Sequence, residues 1–183
     1  VYNSPVILTF TIICFISLLL NYITGGMTNR FLFSVYRSSL INPLTYVRMF
    51  THVLGHADLA HLTGNITMLL VIGPMLEEKY GSGDLLFVIG TTAVVTGIVN
   101  CIFFPNSMLV GASGVVFAFI IMSSITGIKD KEIPLTLIFV AVLYMGDQIY
   151  SGLFIRDNIS QLTHIVGGIV GAIMGFIAVP KDK

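Results

Sequence analysis

Six stretches of this chain are each long and apolar enough to cross a lipid bilayer, and they leave little sequence for anything else. A helical span needs about 20 predominantly apolar residues. Candidates lie at about Pro5–Ile23, Leu59–Tyr80, Leu85–Phe104, Gly111–Ile128, Ile133–Phe154 and Leu162–Val179. A soluble domain with a large core does not account for them. Only 10% of the 183 residues are charged, where soluble domains carry about 25%. The mean hydropathy is +0.94. The expected fold class is therefore an all-α polytopic membrane protein of six transmembrane helices.

The net charge is zero and no basic patch is present, which argues against a nucleic-acid partner. Cys14 and Cys101 sit in apolar runs without metal or redox spacing and read as small apolar fillers. No cofactor is implied. The chain begins at Val1 without methionine, which leaves room for a preceding native segment. No signal-peptide cleavage pattern is evident, and the first apolar run reads as a retained span. There is no internal repeat, so residues 1–183 are expected to form one domain: a first span over 1–24, a long first loop over 25–58, and spans two to six over 59–179.

That first loop is too long and too patterned to be a simple connection. Asn42-Pro43 reads as an N-cap followed by proline at the first helical position. Leu44, Val47, Met49, Phe50 and Val53 follow, mixed with Arg48 and His52, and Gly55 is a plausible stop. The pattern predicts an amphipathic helix at the membrane surface. A small extramembrane hairpin is the alternative. Orientation follows from basic residues near the span ends. Lys79, Lys129, Lys131, Lys181 and Lys183 fall on one side, and Arg30, Arg37, Arg48 and Arg156 on the other. The balance favours a cytoplasmic N-terminus, since the arginines of a long loop count for less.

Spans two, four and six run in the same direction, and each opens with a polar group. His61 and Asn65 begin the second, Ser113 the fourth and His164 the sixth. All therefore lie in one leaflet, whichever way the protein is oriented. The i, i+4 spacing places His61 and Asn65 on one helix face, and polar groups within a bilayer turn toward a cavity or one another. Structural roles compete: Asn65 could tie helices together, and Ser113 could simply allow close packing. His164 is followed by Gly167, Gly171 and Gly175 at i+4 intervals, a stripe that lets the sixth helix approach a neighbour. Gly114 and Ala118 offer the fourth helix as that neighbour.

This constellation suits acyl transfer. A serine hydroxyl is a weak nucleophile until a base accepts its proton. His164 is the candidate base, and later the acid that protonates the leaving amine. The tetrahedral oxyanion needs donors, available from the Ser113 backbone N–H, the Asn65 amide and the His61 imidazole. No acid is placed to orient His164, so a dyad is expected.

These residues resemble the rhomboid intramembrane serine proteases of the six-helix bacterial type, from about Pro43 to Gly175. The ordered set carries the resemblance: Arg48 with His52 and His56, His61-x-x-x-Asn65, Glu77-x-x-x-Gly81, Gly111-Ala112-Ser113-Gly114, and His164-x-x-Gly167-x-x-x-Gly171. It implies that Ser113 and His164 form the catalytic dyad. It also implies that His61 and Asn65 help form the oxyanion hole, and that the long first loop is partly embedded. Span five and the loop after it would be the lateral gate and cap. Gly111, Gly114, Phe117, Gly167, Gly171, Arg48 and Glu77 would be supporting residues. The substrates implied are transmembrane proteins, cut in a bacterial cell (inner) membrane with the site opening to the outer side. Two departures stand out. Val47 takes the place of a Trp common before the loop-one arginine, and Phe117 that of a Tyr common one turn after the serine.

Other readings are weaker. Gly81-Ser82-Gly83-Asp84 matches the G-x-G-D string of intramembrane aspartyl proteases, but no second aspartate motif accompanies it. His52, His56 and His61 lack a metalloprotease spacing, and hydrogen bonding to the first loop is expected instead. Glu77 is expected to pair locally or receive backbone donors. Asp147 falls within span five and raises a proton or ion pathway, although a place near a water-filled gate or simple pairing fits better. A transporter or channel would need a midplane polar path, often with repeated halves, neither of which is seen. A catalytically inactive relative should lack Ser113 or His164, and both are present.

Overall fold

The computed structural model describes residues 3–130 and 158–181, with isolated helical positions at 135, 138, 139, 142, 143 and 146. Apart from those positions, the expected fifth span lies outside the described residues, as does Asp147.

Helix α1 is Pro5–Ile23, α2 is Pro43–Thr51, α3 is Leu59–Tyr80, α4 is Ser82–Phe103, α5 is Ser113–Asp130 and α6 is Asn158–Ile177. A π-helical turn, Asn29–Phe33, lies between α1 and α2. Helices α1, α3 and α4 are long and apolar enough to cross a membrane, and α5 and α6 are apolar over shorter stretches. Helix α4 starts three residues earlier than Leu85, so Asp84 sits in its first turn. A carboxylate there complements the positive end of the helix dipole.

Several helix ends have a local cause. Asn42 accepts the Leu44 N–H at 3.0 Å and caps α2 as expected. Asp58 caps α3 by accepting the His61 N–H at 2.8 Å. Helix α3 stops at Gly81, whose φ of +90° suits glycine, and α4 begins at the next residue. The start of α1 is capped from elsewhere in the chain. Ser4 makes no side-chain capping bond. Glu77 takes over: Oε1 accepts the Val6 N–H at 2.9 Å and Oε2 the Ile7 N–H at 3.1 Å. Oε1 also accepts the Ser82 hydroxyl at 2.7 Å. The carboxylate thus meets two otherwise unpaired amides at the positive end of α1.

The core is shared among the spans. Ile7, Phe10, Cys14 and Leu18 present one face of α1 to α3, and α5 is the most enclosed helix, buried from Gly114 through Ile120. The outward surface is apolar as well. Ile165, Ile169, Ile173 and Phe176 form an exposed ridge on α6, and Ile12, Phe15, Ile16 and Leu19 another on α1. Contiguous apolar surface on this scale belongs in lipid.

The first loop departs from expectation in one respect. Helix α2 ends at Thr51, so Gly55 is not its stop. Gly55 instead packs against Phe33, where an added Cβ would fall 2.7 Å from the Phe33 Cβ. Helix α2 is amphipathic, with its polar face turned inward. Thr45 and Arg48 are buried, while Tyr46, Val47 and Phe50 point outward. Arg48 donates to the Phe31 carbonyl at 3.2 Å and its guanidinium lies 4.4 Å from the centre of the Tyr36 ring. A helix facing lipid on one side and polar loop backbone on the other has this distribution.

Candidate active site

The Gly111–Gly114 turn is held from three sides. Val35 and Leu109 exchange both backbone hydrogen bonds at 2.9 Å, pinning the approach to the turn against the first loop. The Gly111 N–H then donates to the His52 carbonyl at 2.9 Å. Gly111 has φ +126°, and a Cβ there would sit 2.7 Å from His61 Nε2 and 3.8 Å from Asn65 Nδ2. Only glycine gives both this backbone shape and this approach. The turn therefore lies directly against the His61–Asn65 face of α3, with Asn65 buried and His61 half-buried.

Ser113 is the first residue of α5 and is half-buried. Backbone N–H groups in a first helical turn have no intrahelical acceptor. Four residues on, Phe117 stacks on the His164 ring, with centroids 4.3 Å apart and planes 8° from parallel. Residues four apart share a helix face, so Ser113 and Phe117 both belong to the side of α5 that meets His164. The backbones touch there. A Cβ on Gly167 would lie 2.9 Å from the Gly114 carbonyl carbon, and one on Gly171 would lie 2.7 Å from the Ala118 Cα. Gly175 faces Ile125 in the same register. The glycine stripe of α6 is thus laid along the small face of α5.

His61, Asn65, Gly111, Ser113, Gly114, Phe117, His164 and Gly167 consequently form one neighbourhood built from three helices. Arg48 and Glu77 do not belong to it. Arg48 organises the first loop. Glu77 is 16 residues beyond His61 on α3, or about 24 Å along the axis at 1.5 Å per residue. Among the described residues no group of three His, Cys, Asp or Glu side chains could hold a metal.

His52 has a larger structural part than its loop position suggests. Its ring crosses to α4 and donates through Nε2 to the Ala93 carbonyl at 3.0 Å, while its own carbonyl holds Gly111. His56 donates through Nδ1 to Leu54 at 3.3 Å and meets the His61 ring edge-on at 5.1 Å. Nothing in the sequence spacing announces the bonds from His52 to Ala93 and Gly111, because they join segments distant along the chain.

Burial pushes the His52 imidazole down to about 4, against the opposing hydrogen bond to Ala93. Burial, with the neighbouring His61, pushes His56 down to about 3. Both rings are neutral in the fold but become charged in the unfolded chain below its ordinary value near 6.5. The unfolded state then binds more protons, so stability falls as pH drops from about 6.5 toward those lower values, by about 1.4 kcal/mol per pH unit for each histidine. Thermal unfolding in detergent should show a midpoint that declines below pH 6.5, with a shallower decline for His56→Asn. A midpoint unchanged down to pH 4.5 would contradict this.

A bundle that is helical among the described residues, with apolar outer surfaces and this polar cluster at one end, defines an integral, polytopic membrane protein. Residues 43–181 match the model of the Rhomboid domain family, and the chain belongs to that family. It is 31% identical over 159 residues to Rhomboid-related protein 2 of Mus musculus, covering 75% of this chain and 52% of the mouse protein. It is 29% identical over 169 residues to the Rhomboid protease GluP of Bacillus subtilis, covering 88% of this chain and 32% of that protein. The Rhomboid protease GlpG of Salmonella choleraesuis is 30% identical over 132 residues, 71% of this chain and 48% of the relative. The chain spans about half the length of the mouse and Salmonella relatives, and less of the Bacillus one.

Proposed function

We propose that this chain is an intramembrane serine endopeptidase that hydrolyses peptide bonds of transmembrane proteins, with Ser113 as nucleophile and His164 as its base. The observation that carries the reading is the Phe117–His164 stack over the Gly114–Gly167 contact. It fixes the imidazole plane beside the helix face that begins with Ser113. Two of the relatives are named as rhomboid proteases, which supports the same reaction class.

In this mechanism His164 takes the Ser113 proton as Oγ attacks the scissile carbonyl, then delivers it to the leaving amine. Water then attacks the acyl-enzyme and gives its proton to His164, which returns it to the Ser113 Oγ as the new carboxyl product leaves. The Ser113 N–H, the His61 ring and the Asn65 amide donate to the oxyanion, where each such donor contributes about 10²–10³ in rate. Phe117 keeps the stacking face of the more common tyrosine without its hydroxyl. The mechanism uses no cofactor. Residues 1–183 would act as one domain, with a cytoplasmic N-terminus and a site opening to the outer side of a cell membrane. Substrate helices would enter sideways and unwind locally to expose the scissile carbonyl.

A fluorophosphonate probe tests the nucleophile directly. Detergent-solubilised parent protein should label and Ser113→Ala should not. Equal labelling of the two would sink the assignment. Ion flux in liposomes that survives Ser113→Ala would favour a transporter.

A further inference from the structure

Away from the candidate active site, on the outward side of α4, a cavity of about 470 Å³ opens between the first loop and the last turns of that helix. Its walls are mixed. Leu40, Met49 and Ile102 supply apolar surface, while Arg37, Ser38 and Thr45 supply the polar part. The two hydroxyls are already engaged. Thr45 donates to the Ser39 carbonyl at 2.7 Å and meets the Ser38 hydroxyl at 2.8 Å. Arg37 differs: it is exposed, and no hydrogen bond or ion pair among the described residues engages its guanidinium.

The cavity also sits at a telling depth. Val35, two residues before Arg37, bridges Leu109 in the connection from α4 to α5, and Ile102 is in the final turn of α4. Arg37 therefore lies where a membrane span ends and headgroups begin. The α4 flank on the other side of α2 is apolar, with a groove of about 380 Å³ between Phe50 and the Phe87, Gly90 and Val94 positions. A cation at the boundary above hydrocarbon-facing walls matches an amphiphile whose negative charge is at its head. A free anion would gain nothing from Leu40, Met49 and Ile102.

We infer that this cavity binds one phospholipid, its phosphodiester paired with the Arg37 guanidinium and the start of its acyl chain packed on Met49 and Ile102. Guanidinium is well suited to phosphate because its planar donors pair with two oxygens at once. The site is independent of the proteolysis proposed above.

Native mass spectrometry of delipidated protein titrated with dioleoyl phosphatidylglycerol reads the binding. The parent should retain one lipid with saturable affinity. Arg37→Ala should bind about fivefold more weakly, the effect of one basic side chain at a charged membrane surface. Arg37→Lys should restore most of the affinity, and Ile102→Asp should weaken it. Thermal unfolding of each variant without lipid separates lost binding from lost fold. Equal affinity of the parent and a folded Arg37→Ala would overturn the proposal. So would displacement of the lipid by glycerophosphoglycerol or inorganic phosphate at matching concentrations, because the site would then take an anion and not a lipid.

Discussion

Replacing His164 by alanine is expected to slow cleavage of a transmembrane reporter in liposomes by about 10²–10⁴-fold, the usual contribution of a positioned acid–base group. The effect should be large because the proposed mechanism gives the imidazole two jobs, taking the Ser113 proton and protonating the leaving amine. Phe117 would remain but would have no ring to hold. Phe117→Ala tests that positioning role separately. It leaves both reacting groups in place and frees the imidazole to tilt, so its loss should be smaller and Phe117→Tyr should restore the rate. Fluorophosphonate labelling of His164→Ala should fall in parallel with cleavage. A His164→Ala protein that cleaves as fast as the parent removes the residue from the mechanism.

The second large effect is expected from Gly171→Val. The first atom of any side chain at this position would fall 2.7 Å from the Ala118 Cα. That neighbour is backbone and cannot rotate away, so α6 must separate from α5. Overpacking of this sort costs about 1–3 kcal/mol, and here it also draws His164 away from Phe117 about two turns along. Both the unfolding midpoint and probe labelling should drop. Gly168→Ala is the matched control, because its Cβ would meet Ile121 at an ordinary 3.5 Å. If Gly171→Val and Gly168→Ala behaved alike, the α5–α6 contact would not be what aligns the site.

The spans were legible because hydrocarbon imposes a simple requirement: about 20 apolar residues in succession. Accordingly α1 and α3 begin and end where hydropathy put them, and α4 starts within a turn of its expected boundary. The meeting of α5 and α6 was legible for a different reason. Glycines four residues apart on one helix, opposite small residues on another, permit a contact that larger side chains forbid. The first loop obeys neither rule. Its order comes from pairings between distant segments, such as Val35 with Leu109 and His52 with Gly111, and local periodicity carries no record of those.

The Glu77 cap on α1 bears on how the chain is made. Glu77 follows Val6 by 71 residues. At about 5–20 residues per second of synthesis, the first amides of α1 reach the ribosomal exit some seconds before the carboxylate that will satisfy them. During that interval water or headgroups must hold them. Helix α1 thus leaves the ribosome before it can be capped, and its final seating waits for the arrival of α3.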